Sequence, residues 1–184
     1  AISDFTGKLP QFSVSEVNSK MAPSIDKYIK QKAAPETVVS ESHGRDEDLA
    51  FFRDIAARFY ARLPYAVGRI ERTLPLIHRL NDAARRPVDS RQLEAALYMH
   101  DIALTFLPDS LLLKDGKYTD AEWGQVKEHS GIAADILARI AGWEVAAQMV
   151  AQHHMWMDGS SGYPACIGVT PHIGAQMLAL VDSY

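Results

Sequence analysis

From Asp46 onward, apolar residues recur every three or four positions, which places them on one face of an α-helix. The segment EDLAFFRDIAARFYARL is the clearest case. Its apolar face consists of Leu49, Phe52, Ile55, Ala56, Phe59 and Leu63. The sequence contains no alternating stretch long enough for a useful β-strand and no internal repeat. The pattern therefore predicts an all-α fold.

Several helix boundaries can be predicted from single residues. In YAVGRIERTLPLIHRLNDAARR, Pro75 predicts a bend, because proline cannot donate to the helical ladder, and Pro87 ends the segment. The next helix, VDSRQLEAALYMHDIAL, begins with Asp89 or Ser90 as N-cap and with Gln92 placed for a capping box.

The second half of the domain continues in the same way. TDAEWGQVKEHSGIAADILARI opens with Thr119 and Glu122 in capping-box spacing and reads as one helix. WEVAAQMVAQHHM follows and is predicted to end at Asp158-Gly159. A last helix, HIGAQMLALVDSY, follows Pro171.

Residues 1–47 differ from the rest because they are polar and interrupted by prolines and a glycine. They are predicted to form an arm or linker, from an upstream regulatory domain in one interpretation. Residues 48–184 are predicted to form the helical domain.

Composition narrows the function classes. The chain is 47% hydrophobic and 23% charged with a net charge of −4, and it has no basic run, which argues against binding nucleic acid. No apolar run approaches the roughly 18 residues of a membrane span. Its single cysteine, Cys166, excludes an intramolecular disulfide and is typical of a reducing cytoplasm.

His100 lies on the apolar stripe of its predicted helix, and Asp101 follows it. An imidazole and a carboxylate are costly to bury unless they are paired or bound to a cation. Two interpretations stay open for this pair: a metal site, or a core histidine bonded to a carbonyl with Asp101 at the helix edge.

Other candidate ligands are ambiguous when taken singly. His153 and His154 can converge on one ion if their helix ends beside them. Taken alone, His129 is interpreted as an exposed histidine. Taken alone, Asp182 is interpreted as part of a solvated chain end. In combination, imidazoles and carboxylates from several helices are typical of iron, manganese, cobalt or zinc sites. A bridging carboxylate can hold two cations about 4 Å apart, which suits phosphate-ester hydrolysis.

Four blocks in order resemble the HD-GYP family of the HD phosphohydrolase superfamily, over roughly residues 65–184. ALYMHDIAL is similar to the family's HD segment, and LLLKDGKYTDAEWGQVKEHSGIAADIL to its next block. HHMWMDGSSGYP resembles the HHExxDGxGYP signature with one extra serine. AQMLALVDSY is similar to the helix that carries a ligand aspartate. The resemblance implies a helical bundle with a metal site between helices, and cyclic di-GMP hydrolysis.

The resemblance also implies individual roles. Asp101 would bridge two metals, iron or manganese being expected, and would be the catalytic centre. The first metal site would be completed by His129, His153 and His154, and the second would use His100 and Asp182. Gly162, Tyr163 and Pro164 would shape the loop beside a cyclic dinucleotide or another phosphate ester.

The sequence departs from the family pattern at several points. No histidine occurs between His43 and His78, where the family has its first ligand. Leu104 stands where the family has the lysine of HDIGK, and Met155 replaces the glutamate of HHE. Family members usually continue beyond the point that corresponds to Tyr184 with a basic segment, so the domain is expected to be truncated there.

Three hypotheses follow. A degenerate output domain would keep one or two metals and nucleotide binding, lose hydrolysis, and act through signalling partners or an upstream receiver domain. An active metal-dependent phosphodiesterase would hydrolyse cyclic di-GMP. A purely helical domain would use its histidines only in its core.

Overall fold

The computed structural model of the chain describes residues 41–158, 160–164 and 168–184, with only the backbone described for 41–43. In chain order the α-helices are α1 (Glu41–Tyr60), α2 (Arg69–Ala83), α3 (Ser90–Met99), α4 (Asp109–Leu112), α5 (Asp120–Lys127), α6 (His129–Leu137), α7 (Glu144–Gln152) and α8 (Ile173–Asp182). Two 3₁₀ helices, Pro64–Ala66 and Ile102–Phe106, connect α1 to α2 and α3 to α4. Across these ranges there is no β-strand, and the predicted all-α fold is confirmed.

The predicted N-terminal arm lies mostly outside the described residues, because 1–40 are not among them. Residues 41–47 belong to α1, so the helical pattern begins earlier than Asp46. The division of the chain at 47/48 stays a prediction. No helix in the described ranges is long and apolar enough to cross a membrane.

Helix α3 lies at the centre of the bundle and packs against α1, α2, α6, α7 and α8. Leu93 and Met99 of this helix are almost completely buried, as are Phe52 of α1 and Trp143 just before α7. The rings of Phe52 and Trp143 meet edge to face with centroids 5.4 Å apart. Burying one such side chain contributes about 1.5–3 kcal/mol, so these contacts hold α3 in the bundle.

Helix α3 begins as predicted but without the predicted capping box. Asp89 is the N-cap and accepts hydrogen bonds from the backbone N–H groups of Arg91 and Gln92. The Gln92 side chain instead donates to the Gly142 carbonyl at 2.6 Å and accepts from the Ala146 N–H at 2.8 Å. Gln92 therefore tethers α3 to α7, a tertiary use that local spacing does not reveal.

The capping box of Thr119 and Glu122 at the start of α5 is confirmed. The single helix predicted from this point is wrong, because the helix breaks at Glu128 and α6 begins at His129. The predicted end of α7 at Asp158-Gly159 is also wrong, since α7 ends at Gln152. Both breaks fall beside histidines, and they determine the geometry described next.

Candidate metal centre

Three histidines lie where helices end. His100 is the C-cap of α3, His153 is the C-cap of α7, and His129 follows the end of α5. Each places its Nδ1 within hydrogen-bond distance of the carbonyl three residues earlier: Leu97 at 2.8 Å, Val150 at 2.6 Å and Val126 at 2.6 Å. Carbonyls in the last turn of a helix lack an intrahelical partner. Each Nδ1 therefore donates its proton there, and Nε2 is the nitrogen left for a metal ion.

His129, His153 and His154 form the first group of candidate ligands, with ligand atoms all within 4.8 Å of one another. The Nε2 atoms of His129 and His154 are 3.2 Å apart. The buried Nε2 of His153 has no hydrogen-bond partner among the described residues. An orphaned buried polar atom costs roughly 1–3 kcal/mol. Three converging imidazoles with such an atom fit one divalent metal ion.

His100, Asp101 and Asp182 form the second group, also with ligand atoms within 4.8 Å of one another. His100 Nε2 lies 3.3 Å from Asp101 Oδ2 and 3.2 Å from Asp182 Oδ1. The other oxygen of Asp101, Oδ1, lies 3.6 Å from His129 Nε2. Asp101 therefore stands between the two groups, the position that a bridging ligand needs.

Two residues that sequence reasoning missed complete the second group. The Tyr60 hydroxyl of α1 donates to Asp101 Oδ2 at 3.3 Å. Arg69, the first residue of α2, donates to the Asp182 carboxylate and, at 2.7 Å, to the Asp182 carbonyl. Arg69 and Asp182 are 113 positions apart, so no local pattern links them. The one available signal was that Arg69 falls in the stretch that lacks the family's histidine.

Burial lowers the pKa of His100, but the carboxylates of Asp101 and Asp182 outweigh it and raise that pKa to about 10. Burial raises the pKa of Asp101, but His100 and the other imidazoles hold it well below its usual range. His100 and Asp101 therefore behave as an ion pair.

The other two imidazoles shift in the opposite direction. Burial, together with the neighbouring imidazoles, lowers the pKa of His153 to about 3 and that of His154 to about 4. Both are neutral at neutral pH, which is the form of imidazole that binds metal ions.

The described residues that follow His154, 155–158 and 160–164, fold back over the first group. Met155 and Gly162 form an isolated antiparallel bridge, and the Tyr163 N–H donates to the His154 carbonyl at 3.2 Å. Gly162 has φ +97°, and an added Cβ would lie 2.3 Å from the His154 carbonyl oxygen. The Tyr163 ring then stacks on the His154 ring with centroids 4.4 Å apart, and Pro164 follows on the surface.

An aromatic edge extends from this loop. Trp123 of α5 meets Tyr163 edge to face at 6.0 Å and stacks with Tyr118 at 6.1 Å. The Lys127 Nζ lies 5.5 Å from the Trp123 ring centre and 5.9 Å from that of Tyr163. Sequence reasoning did not identify these residues. A partly exposed aromatic surface with a lysine can stack a base and attract a phosphate.

Leu104 and Lys114 bear on whether a positive side chain lies near the candidate metal centre, where it could stabilise negative charge on a phosphate. Leu104 is partly buried and packs against the core, so no charge is available at this position. Lys114 forms an ion pair with Glu122 at 2.6 Å. Lys114 thus supports the start of α5.

A family model described as an HD domain matches residues 56–184. The helical fold is thus that of an HD domain protein. The similar proteins narrow this assignment: the chain belongs to the HD-GYP family of HD domain proteins.

Among these relatives, a cyclic di-GMP phosphodiesterase of Vibrio cholerae serotype O1 is 38% identical over 94 residues, covering 47% of this chain and 19% of the relative. A 3'3'-cGAMP-specific phosphodiesterase 3 of the same organism is 34% identical over 107 residues, covering 56% of this chain and 23% of the relative. The cyclic di-GMP phosphodiesterase response regulator RpfG of Xanthomonas campestris pv. campestris is 30% identical over 129 residues, covering 68% of this chain and 32% of the relative. The chain thus spans less than a third of the length of each of these relatives.

Proposed function

We propose that this domain is a signal-transduction output domain of HD-GYP type that binds a divalent transition metal and a cyclic dinucleotide, with hydrolysis weakened or lost. The observation that carries the proposal is the convergence of three imidazoles, from His129, His153 and His154, beside the carboxylate of Asp101. Imidazole and carboxylate donors suit first-row divalent transition metals, of which we propose iron or manganese.

A bound divalent ion would polarise a phosphoryl oxygen and stabilise negative charge on it. The protein's own contribution is to hold the ligands ready. The Nδ1 bonds to helix-end carbonyls fix the orientation of His129 and His153, and the stacked ring of Tyr163 covers one face of His154. This arrangement supports metal binding without large rearrangement.

A cyclic dinucleotide as the ligand is supported by the surface next to the metal site. Trp123 offers a partly exposed ring for stacking a base, and Lys127 places a positive charge beside Trp123 and Tyr163. The relatives above are named for activity on cyclic di-GMP and 3'3'-cGAMP. We propose the same class of ligand here.

Weakened hydrolysis is supported by the apolar side chain of Leu104, which packs against the core near the HD pair. Removing a group that stabilises developing negative charge commonly costs about 10²–10³-fold in rate.

Output through signalling proteins or an upstream receiver domain, with residues 1–47 as the connecting arm, is part of the same proposal.

The second candidate is an active metal-dependent cyclic di-GMP phosphodiesterase. It is favoured by the names of the relatives and by the position of Asp101, which lies within reach of both ligand groups.

The two candidates differ in turnover. We expect the Mn²⁺-loaded protein to bind cyclic di-GMP or 3'3'-cGAMP in calorimetry, and to release linear dinucleotide at least about 100-fold more slowly than an intact site would. Chromatography of the reaction mixture measures the product. Asp101→Ala should abolish any residual turnover, and Asp115→Ala, an exposed aspartate after α4, is the matched control.

Fast product formation that disappears in Asp101→Ala would establish the active enzyme and contradict weakened hydrolysis. Absence of binding to both nucleotides would contradict the proposed ligand class.

A further inference from the structure

The second group of candidate ligands already contains a cation that belongs to the chain. Arg69 Nη2 donates both to the carboxylate and to the backbone carbonyl of Asp182. The two side chains are only 21% and 23% exposed, so this pair is largely withdrawn from water. A charge-assisted pair in that setting is better defined than a surface ion pair.

Arg69 is also connected to the other carboxylate. Its guanidinium carbon lies 5.9 Å from the centre of the Tyr60 ring, and the Tyr60 hydroxyl donates to Asp101. The Asp182 oxygen that accepts from Arg69 also faces His100 Nε2. Both carboxylates of the second group therefore have donors supplied by the protein.

Charge balance favours one metal ion over two. Asp101 and Asp182 supply two negative charges, and Arg69 supplies a positive charge that it cannot lose. Arg69 already pairs with Asp182, so a second divalent ion would add two positive charges beside this cation, with no further carboxylate in either ligand group to balance them. That excess would lie in a poorly hydrated place, where repulsion between like charges is weakly screened.

We infer that Arg69 takes the place of a second metal ion, so that the domain binds one divalent ion at His129, His153, His154 and Asp101. Arg69 and Tyr60 hold the carboxylates of Asp182 and Asp101 in position. This inference rests on the proposed metal binding and specifies how many ions the site takes.

Mn²⁺ binding to the whole chain tests the inference, with equilibrium dialysis for stoichiometry and electron paramagnetic resonance for coupling between ions. We expect one Mn²⁺ per wild-type chain with the spectrum of an isolated ion. Arg69→His removes the cation and adds a ligand, so it should bind two ions with a spin-coupled spectrum. Arg79→His, on an exposed position of the same helix, is the matched control and should bind one.

A second comparison needs no change at Arg69. His154→Ala removes a proposed ligand. Changing a residue that only supports a ligand typically weakens metal binding by about 10–100-fold, and we expect His154→Ala to weaken Mn²⁺ binding by at least that much. Asp182→Asn should leave the Mn²⁺ affinity within about threefold of the wild-type value, because Asp182 is not a ligand of the single ion. This loss is smaller than the one typical of a residue that supports a ligand. Circular dichroism of each variant verifies that it is folded.

Two ions in the wild type would overturn the replacement by Arg69 and leave the proposed metal binding intact. One ion in Arg69→His, or equal losses in Asp182→Asn and His154→Ala, would also overturn it. No ion in the wild type would contradict the proposed metal site itself and this inference with it.

Discussion

A close backbone approach beside the candidate metal centre occurs at Gly162. This residue pairs with Met155 across the loop and has a positive φ of +97°. A Cβ added there would lie 2.3 Å from the His154 carbonyl oxygen and 2.8 Å from the Met155 Cα, and neither backbone atom can move independently of His154, a candidate ligand. A single hydrogen atom in place of a side chain therefore allows Tyr163 to reach the His154 ring.

We expect Gly162→Ala to lower the free energy of unfolding by at least about 1–3 kcal/mol, from the positive φ and the backbone clash together. Urea denaturation followed by circular dichroism measures the change. Gly116→Ala is the matched control, because Gly116 has a similar φ of +105° with nothing within 4 Å of an added Cβ. Equal losses in the two variants would mean that the close approach costs nothing beyond the backbone strain.

Among the elements, helix ends position the chemistry more than helix faces do. The break between α5 and α6 places His129, and the end of α7 at Gln152 places His153 and His154. The start of α5 is held by Thr119 and Glu122, and Glu122 also pairs with Lys114 at 2.6 Å. The loop before α5 is thereby linked to the helix that carries Trp123.

Glu122 gives this element a pH dependence. The hydrogen bond from Lys114, followed by the backbone N–H of Thr119, lowers the pKa of Glu122 from 4.5 to about 2. A depressed carboxyl pKa means that the stabilisation is complete above pH 4.5 and is lost as the pH falls toward 2.

We therefore expect Glu122→Gln to be less stable than the wild type at pH 7, with a difference that shrinks between pH 4.5 and 2. Urea denaturation at a series of pH values measures this difference. Asp135→Asn, which neutralises an exposed carboxylate of α6, should show no such convergence. A pH-independent difference for Glu122→Gln would show that the charge of Glu122 does not matter.

At the scale of the whole molecule, the candidate ligands join distant parts of the domain. They come from the ends of α3, α7 and α8 and from the junction of α5 and α6. An ion bound by these residues holds those helix ends together in the folded state only, so metal binding and folding are linked.

We expect Mn²⁺ at about 100 times its Kd to stabilise the domain by about 2.7 kcal/mol and to raise Tm by roughly 5–10 °C. Differential scanning calorimetry with and without a chelator measures the shift. His154→Ala should abolish the shift, whereas His78→Ala should keep it, because His78 pairs with Glu94 away from both ligand groups. An unchanged Tm in the wild type would argue against an ion at this site.

The sequence predicted the helical class because burial of apolar faces is periodic along the chain, and the family resemblance brought the six candidate ligands together. It did not predict the break at Glu128, because HSGIAADIL continues the apolar spacing of the helix before it. Arg69 and Gln92 were missed for another reason. Their partners lie 113 and 50 or more positions away, and only the packed bundle brings them into contact.

The hydrogen bonds from ring Nδ1 atoms to helix-end carbonyls have a consequence for how such a domain changes over evolutionary time. His100, His129 and His153 each have two roles at once, since each bonds a helix-end carbonyl through Nδ1 and leaves Nε2 available to a metal ion. Substituting any of them would damage folding even in a lineage that no longer needs catalysis. The side chain of Leu104 makes no such bond to a helix end, so this position can change without loss of a helix end, whereas a change at His100, His129 or His153 removes one.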